Sequence, residues 1–248
     1  MRFHELDLAK LNSATKYPSI PTFHEMGSRG RLGPDCVDLG PGPLFVSEKV
    51  DGTNTRVIAN EHGESIVGSR NDLLAFSGDL LHNPAMGIVE LIRPLLGAFG
   101  APAPGRLRVY FGESFGGRIT AQSKQYSRSG ATAFRLFDLV EFREDELLEL
   151  LELQQGAISS WRESGGQPFV PTSTLGSYGL PLTPRLEVTE APPVEHRAAL
   201  DWLQRVMPET RVRLDDSGLG KAEGVIVRSE DRSRIVKLRF QDYRKTLR

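Results

Sequence analysis

The stretch Ser47-Glu48-Lys49-Val50-Asp51-Gly52-Thr53-Asn54 places one amine between two runs that read as strands. Leu44-Phe45-Val46 precedes it and Thr55-Arg56-Val57-Ile58-Ala59 follows it. An amine at a strand end, partly withdrawn from water, can serve as a nucleophile near neutral pH. The Asp51-Gly52 pair reads as the turn between the two strands. An Asp-Gly hairpin carrying a surface lysine satisfies the same residues. What decides between the two is whether the rest of the chain can bring chemistry to Lys49.

Further polar residues stand at strand ends or inside apolar runs. Arg70 follows Gly68-Ser69, and Phe111-Gly112-Glu113 closes an alternating run. Phe137-Asp138 lies within another. Glu223-Gly224-Val225-Ile226-Val227-Arg228 is followed by Val236-Lys237-Leu238-Arg239. Taken singly, each is also what an ordinary strand end or exposed strand face looks like. No Gly-rich loop of the dinucleotide or Walker type is present.

The elements that must position these residues are mostly strands. Thr55–Ala59 and 65–69 form a hairpin around a Gly63-containing loop, with Arg70 just past its second strand. Residues 72–83 are mixed. Met86–Leu96 has helical spacing up to Gly97, with Pro94 weakening the last turn. Arg106–Phe111 is a strand running into Gly112-Glu113. The polar stretch 116–130, with Arg118, Lys124 and Arg128, reads as a mobile loop. Ala131–Phe142 is a long strand. Glu144–Gln155 is an acidic amphipathic helix with Leu147, Leu148, Leu150 and Leu151 on its apolar face. Gln167–Leu175 reads as a short strand, 180–193 as a Pro-rich connection, and Val194–Met207 as a helix on which His196 is structural. Gly224–Ser229 and Ile235–Phe240 pair across a turn. Residues 1–43, with several prolines, read as irregular, anchored by Tyr17, Ile20 and Phe23. Helices inserted between hairpins argue for α+β with largely antiparallel sheets.

Composition is that of a globular protein: 39% hydrophobic and 25% charged over 248 residues, enough to bury a sizeable core. A net charge of −1 announces no nucleic-acid partner, so any such binding must use local patches. One lies between Arg228 and Arg248, with eight basic residues against three acidic. The small basic loop Ser28-Arg29-Gly30-Arg31 is another. The single cysteine, Cys36, sits in a loop beside Pro34 and Asp35 and reads as a bystander. It excludes an internal disulfide and a cysteine zinc cluster, and fits a reducing compartment. No apolar run approaches membrane-spanning length, and the N-terminus has no apolar h-region. A cytoplasmic protein with no membrane partner is expected.

Together and in this order, the motifs resemble those of the covalent nucleotidyltransferase superfamily of ATP-dependent ligases and mRNA-capping enzymes. The likeness runs over roughly 44–240. Glu-Lys-x-x-Gly-Thr-Asn at Glu48–Asn54 and Phe-Gly-Glu at Phe111–Glu113 make it most similar to ATP-dependent RNA ligases of the RNA ligase 2 type. The resemblance implies a nucleotidyltransferase (adenylation) domain, ATP-grasp-like, with helices flanking the sheets. It would span 1–248 as a single domain, with 1–43 packed on it and no separate C-terminal OB or helical domain.

It also implies roles. Lys49 takes AMP from ATP as a phosphoramidate, and Lys237 contacts the α-phosphate. Glu113 holds the ribose hydroxyls, and the flat ring of Phe137 stacks on adenine. Arg70 lies near ribose and nucleic-acid phosphate, and Asn54 near ribose and metal. Glu223 helps hold Mg²⁺ (or Mn²⁺), which prefers oxygen ligands. Glu48 and Arg239 complete the cofactor-binding set. AMP would pass to the 5′-phosphate of an RNA end, and a 3′-hydroxyl would displace it, as RNA repair requires. DNA or RNA/DNA hybrid ends, a cap or a protein acceptor remain alternatives, as does a nucleotide- or RNA-binding descendant without turnover. The chain departs from the pattern at Asp51, where phage RNA ligases carry histidine. Arg239 replaces a second lysine with a different donor geometry. The chain stops at Arg248, soon after the last motif. Self-adenylylation and sealing of pre-adenylylated ends are therefore expected, with a protein partner supplying the missing surface.

Overall fold

A computed structural model describes residues 1–82, 87–188 and 190–248. The elements follow in the order α1 (Leu8–Thr15), β1 (His24–Met26), β2 (Leu32–Cys36), β3 (Phe45–Lys49), β4 (Thr53–Asn60), β5 (Ser65–Ser69), β6 (Leu73–Phe76), β7 (Asp79–Leu80), α2 (Ile88–Ile92), β8 (Arg106–Gly116) and β9 (Thr132–Arg143). Then come α3 (Glu144–Glu152), α4 (Gln155–Glu163), β10 (Arg185–Leu186), α5 (His196–Val206), β11 (Gly224–Arg228), β12 (Ile235–Arg239) and α6 (Phe240–Thr246). Two sheets carry the architecture: six strands in the order β7-β6-β5-β4-β8-β9, and four in the order β10-β3-β11-β12. Every paired strand in them is antiparallel. The fold is the expected α+β, with helices laid against antiparallel sheets.

The six-stranded sheet is buried on both faces, so β4 carries the unbroken run Thr55–Asn60, all buried. Ile58, Val109 and Phe111 pack on one side with Leu11, Leu147 and Ile158, the apolar residues of α1, α3 and α4. Val57, Tyr110 and Leu139 pack on the other against Ile88 and Ile92 of α2. The four-stranded sheet buries Val46, Val225, Val227 and Val236 against Leu200 and Leu203 of α5 and Tyr243 of α6. Its opposite face, carrying Ser47, Lys49, Ile226 and Lys237, is left for the site.

Several elements differ from the sequence expectation. The segment before residue 43 is not irregular throughout. Asp7 caps α1 by accepting from the backbone N–H groups of Ala9 and Lys10 at 2.9 and 3.1 Å, and β1 pairs with β2. The helix over 86–96 breaks at Pro94. α2 ends at Ile92 and a 3₁₀ turn runs over Arg93–Ala98. Met86, its expected start, lies outside the described residues. In α3, Leu148 is exposed while Leu147, Leu150 and Leu151 are buried. Residues 167–175 contribute only one isolated bridge, Phe169 to Val140, before a 3₁₀ turn over Thr172–Tyr178. The 116–130 segment is not a free loop, because Ile119, Ser123, Tyr126 and Ser127 are buried. No helix among the described residues is long and apolar enough to cross a membrane.

Candidate active site

Asp51-Gly52 is not a hairpin turn. β3 belongs to the four-stranded sheet and β4 to the six-stranded one, so Lys49–Gly52 is the crossing between sheets. Gly52 is required there for a close approach. A Cβ would lie 2.3 Å from the carbonyl oxygen of Ser114 and 2.8 Å from Cγ of Glu113. The crossing is pinned from below. The backbone N–H of Asp51 donates to the Tyr126 hydroxyl at 2.5 Å, and Val50, Phe115, Tyr126 and Val212 form a small core under it.

The lysine is aimed by strand register. Lys49 lies opposite Gly224 of β11, which lies opposite Arg239 of β12. Two residues along, Ser47, Ile226 and Lys237 form the next row. Residues two apart share a face, so Lys49 and Lys237 look out from the same side of the sheet. Gly224 keeps the row close, since a Cβ there would sit 1.9 Å from the Leu238 carbonyl oxygen. Lys49 Nζ donates to Glu223 Oε2 at 2.6 Å.

The six-stranded sheet supplies the facing wall. Asn54 on β4 lies opposite Glu113 on β8. Glu113 Oε1 accepts from the backbone N–H of Gly52 at 3.2 Å. Phe137 is the extra residue of a β-bulge: Phe111 pairs with Asp138 and Gly112 with Leu136. A bulge re-aims side chains, and here the ring of Phe137 turns into the cleft. Tyr17 packs edge-on against it, with centroids 5.0 Å apart. The resulting cleft holds about 370 Å³ and is lined by Lys49, Asn54, Arg70, Glu113, Phe137, Glu223 and Lys237. That volume lies within the range of small-molecule sites.

Two expected residues stand differently. Glu48 borders the cleft, but its carboxylate is turned away and buried. There it accepts from the Thr210 hydroxyl and from the backbone N–H of Arg211 at 2.9 Å. Arg239 is not a lining residue. Its guanidinium donates to Asp242 at 2.8 and 3.1 Å.

Burial dominates the electrostatics. It pushes the carboxyls of Asp51 and Glu223 up, against the opposing pull of Lys49, and pushes Glu113 up to about 8. Burial and then the cations Arg239, Lys49 and Arg70 hold Lys237 below its ordinary value. The cleft therefore carries acidic groups short of positive charge beside a lysine short of negative charge. Carboxyls that burial holds above their ordinary range suit a divalent cation, which would favour their charged form. Among the described residues no three metal-binding side chains converge. A cation there would take one or two carboxylates together with phosphate oxygens and water, which is how Mg²⁺ is usually held.

One group was missed. Asp138, fully buried, accepts from the Tyr17 hydroxyl at 2.6 Å, from Arg228 Nη1 at 2.7 Å and from Arg232 Nε at 3.1 Å. It ties the two sheets and the N-terminal segment together beneath Phe137. The signal was there, since Asp138 interrupts the apolar run 136–140 and Arg228 closes the apolar run 225–227.

A protein-family model described as RNA ligase matches residues 42–240. Among solved structures, an archaeal ATP-dependent RNA ligase superposes with a TM-score of 0.50 at 18% identity, covering 92% of this chain and 49% of the other. A Naegleria gruberi RNA ligase variant with ATP and Mn gives a TM-score of 0.50 at 16% identity, covering 94% of this chain and 62% of the other. At these identities the likeness is one of fold, and the chain spans about half the length of the archaeal protein. No curated protein matches.

Proposed function

This chain belongs to the RNA ligase family, and from that membership and the cleft we propose that it is an ATP-dependent polynucleotide ligase acting on RNA ends through a covalent lysyl-AMP. The observation that carries the reading is the convergence on one cleft of Lys49, Lys237 and Glu223 from one sheet with Glu113 and Phe137 from the other. Lys49 Nζ gives up a proton to solvent water and attacks the α-phosphorus of ATP. The P–N bond forms as the bond to the pyrophosphate oxygen breaks. Glu223 fixes the amine before attack. Lys237, held below its ordinary value by burial and neighbouring cations, sets its positive charge against the α-phosphate. Glu113 receives the ribose hydroxyls with Asn54 beside it, and Phe137, backed by Tyr17, stacks on adenine. Arg70, exposed at the rim, faces the phosphates of the incoming strand. Glu223 and the nucleotide phosphates would hold Mg²⁺ or Mn²⁺, which supplies positive charge against the negative charge building on the phosphates. Glu48 acts by holding the 210–211 backbone against β3, and Arg239 through its charge.

AMP then passes to the 5′-phosphate of an RNA strand, and a 3′-hydroxyl displaces it to close the phosphodiester. The proposed setting is the cytoplasm and the proposed service is RNA repair. The test is sealing of pre-adenylylated strands in Mg²⁺. The reading predicts joining of RNA to a 3′-hydroxyl RNA at a rate well above the matched DNA pair. Equal or faster joining of DNA would move the acceptor to DNA. Joining of neither would remove the sealing step from the reading.

A further inference from the structure

We propose that a second, open groove beside the sheet crossing binds the phosphodiester backbone of a single RNA strand. The identity of this polyanion rests on the ligase reading above. The groove holds about 1160 Å³ and runs between the start of α2, at Gly87 and Glu90, and the 117–132 segment. Arg118, Lys124 and Arg128 line it, and all are exposed. Among the described residues, none of these side chains has a hydrogen-bond or ion-pair partner. Glu90 is the only acid among the described lining residues. Nearby Asp215 is already taken up by the hydroxyls of Ser127, Ser129 and Ser217.

Unpaired cations in a concave surface are what a phosphate backbone uses, because binding releases its counterions. Two of the three are arginines, whose forked donors match phosphate oxygens. Among the described residues no aromatic lines the groove, so these offer no ring for base stacking, and the contact is to backbone without sequence preference. The groove is also tied to the nucleophile. Tyr126 accepts from the backbone N–H of Asp51, and Thr120 donates to the Asp51 carbonyl. Both come from the segment that forms the groove wall, and Asp51 is two residues from Lys49. A strand lying in the groove is thereby led toward the crossing.

The experiment measures the affinity of a 5′-phosphorylated single-stranded RNA by fluorescence anisotropy between 50 and 200 mM KCl. The wild type is compared with Arg118→Ala/Lys124→Ala/Arg128→Ala. Each phosphate contact to a single strand contributes about 0.7 to the slope of log affinity on log salt. Loss of three cations should therefore flatten the slope by about 2. Over this fourfold rise in salt, the wild type should lose affinity about 20-fold more than the variant. A slope within 0.5 of wild type overturns the proposal. Arg118→Lys/Arg128→Lys keeps the charges and should keep the wild-type slope; a slope as flat as the triple variant's would refute the electrostatic account. Tighter binding of an acidic peptide of matched charge than of RNA would assign the groove to a protein and also overturn it. Uptake of AMP by the wild type is measured separately. Uptake with an unchanged slope removes the groove alone. A flattened slope without uptake leaves the groove as an RNA-binding surface and removes the ligase reading.

Discussion

Replacing Glu113 by Gln should make the protein more stable at pH 8 while removing a residue that the proposed chemistry needs. Burial holds this carboxyl up at about 8, against 4.5 for its ordinary value. Between those values the folded protein keeps a proton that the unfolded chain has released. Unfolding therefore becomes easier as pH rises, by about 1.4 kcal/mol per pH unit where the difference is a full proton. Over the interval of about 3.5 pH units the ceiling is about 5 kcal/mol. The side chain keeps part of its surface on the cleft, where water returns some of that cost, so about 2 kcal/mol is the expected share. Gln is neutral throughout and resembles the protonated acid. Urea unfolding without nucleotide, from pH 5 to pH 9, should give equal stabilities at the acid end and a flatter line for Glu113→Gln. Its advantage should reach about 2 kcal/mol by pH 8 to 9. AMP uptake by the same variant should fall about 2- to 10-fold, as expected for a lost neutral hydrogen bond of about 0.5–1.5 kcal/mol. A variant no more stable than wild type at pH 8, with the same pH slope, would refute the claim that Glu113 is held neutral by burial.

Two further substitutions probe the frame around the cleft. Gly52→Ala drives a methyl group onto the Ser114 carbonyl, 2.3 Å away. It should cost about 1–3 kcal/mol in urea unfolding and slow AMP uptake, because the crossing that carries Lys49 must shift. Asp138→Asn leaves Arg228 and Arg232 buried without a counter-charge and should lower stability by about 3–5 kcal/mol, read from the urea midpoint.

Much of the site was legible because its residues lie at strand ends, where local pattern is strong. Alternation and turns placed Lys49 at the end of β3, Glu113 in β8, and Glu223 with Lys237 around the β11–β12 hairpin; their grouping into one site came from the family resemblance. What the sequence did not disclose was which strands share a sheet. Asp51-Gly52 carries the local signature of a hairpin. The pairing of β3 with β11, some 175 positions away, decides otherwise, and no local signal encodes it. Gly52 is there for the approach of the Ser114 carbonyl, a contact between residues far apart in the chain. Glu48 shows the same limit. Its neighbour Lys49 faces the cleft, so by alternation Glu48 faces away, but its acceptance from Thr210 and Arg211 depends on a distant loop. α1 was legible in principle. Asp7 is a good cap, and no proline intervenes before Pro18. The buried polar Ser13 and Thr15 weaken its apolar stripe and hide it from periodicity. The Asp138 cluster could have been suspected from charges set against apolar runs, though not its partners, which come from two separate parts of the chain.

The central claim is that Lys49 becomes covalently bonded to AMP. Incubation with ATP and Mg²⁺, followed by intact-mass measurement and peptide mapping, tests it most directly. The account predicts a gain of one AMP, located on the peptide that contains Lys49, released by pyrophosphate and absent from Lys49→Ala. No gain across Mg²⁺ and Mn²⁺, or a gain that persists in Lys49→Ala, would contradict it.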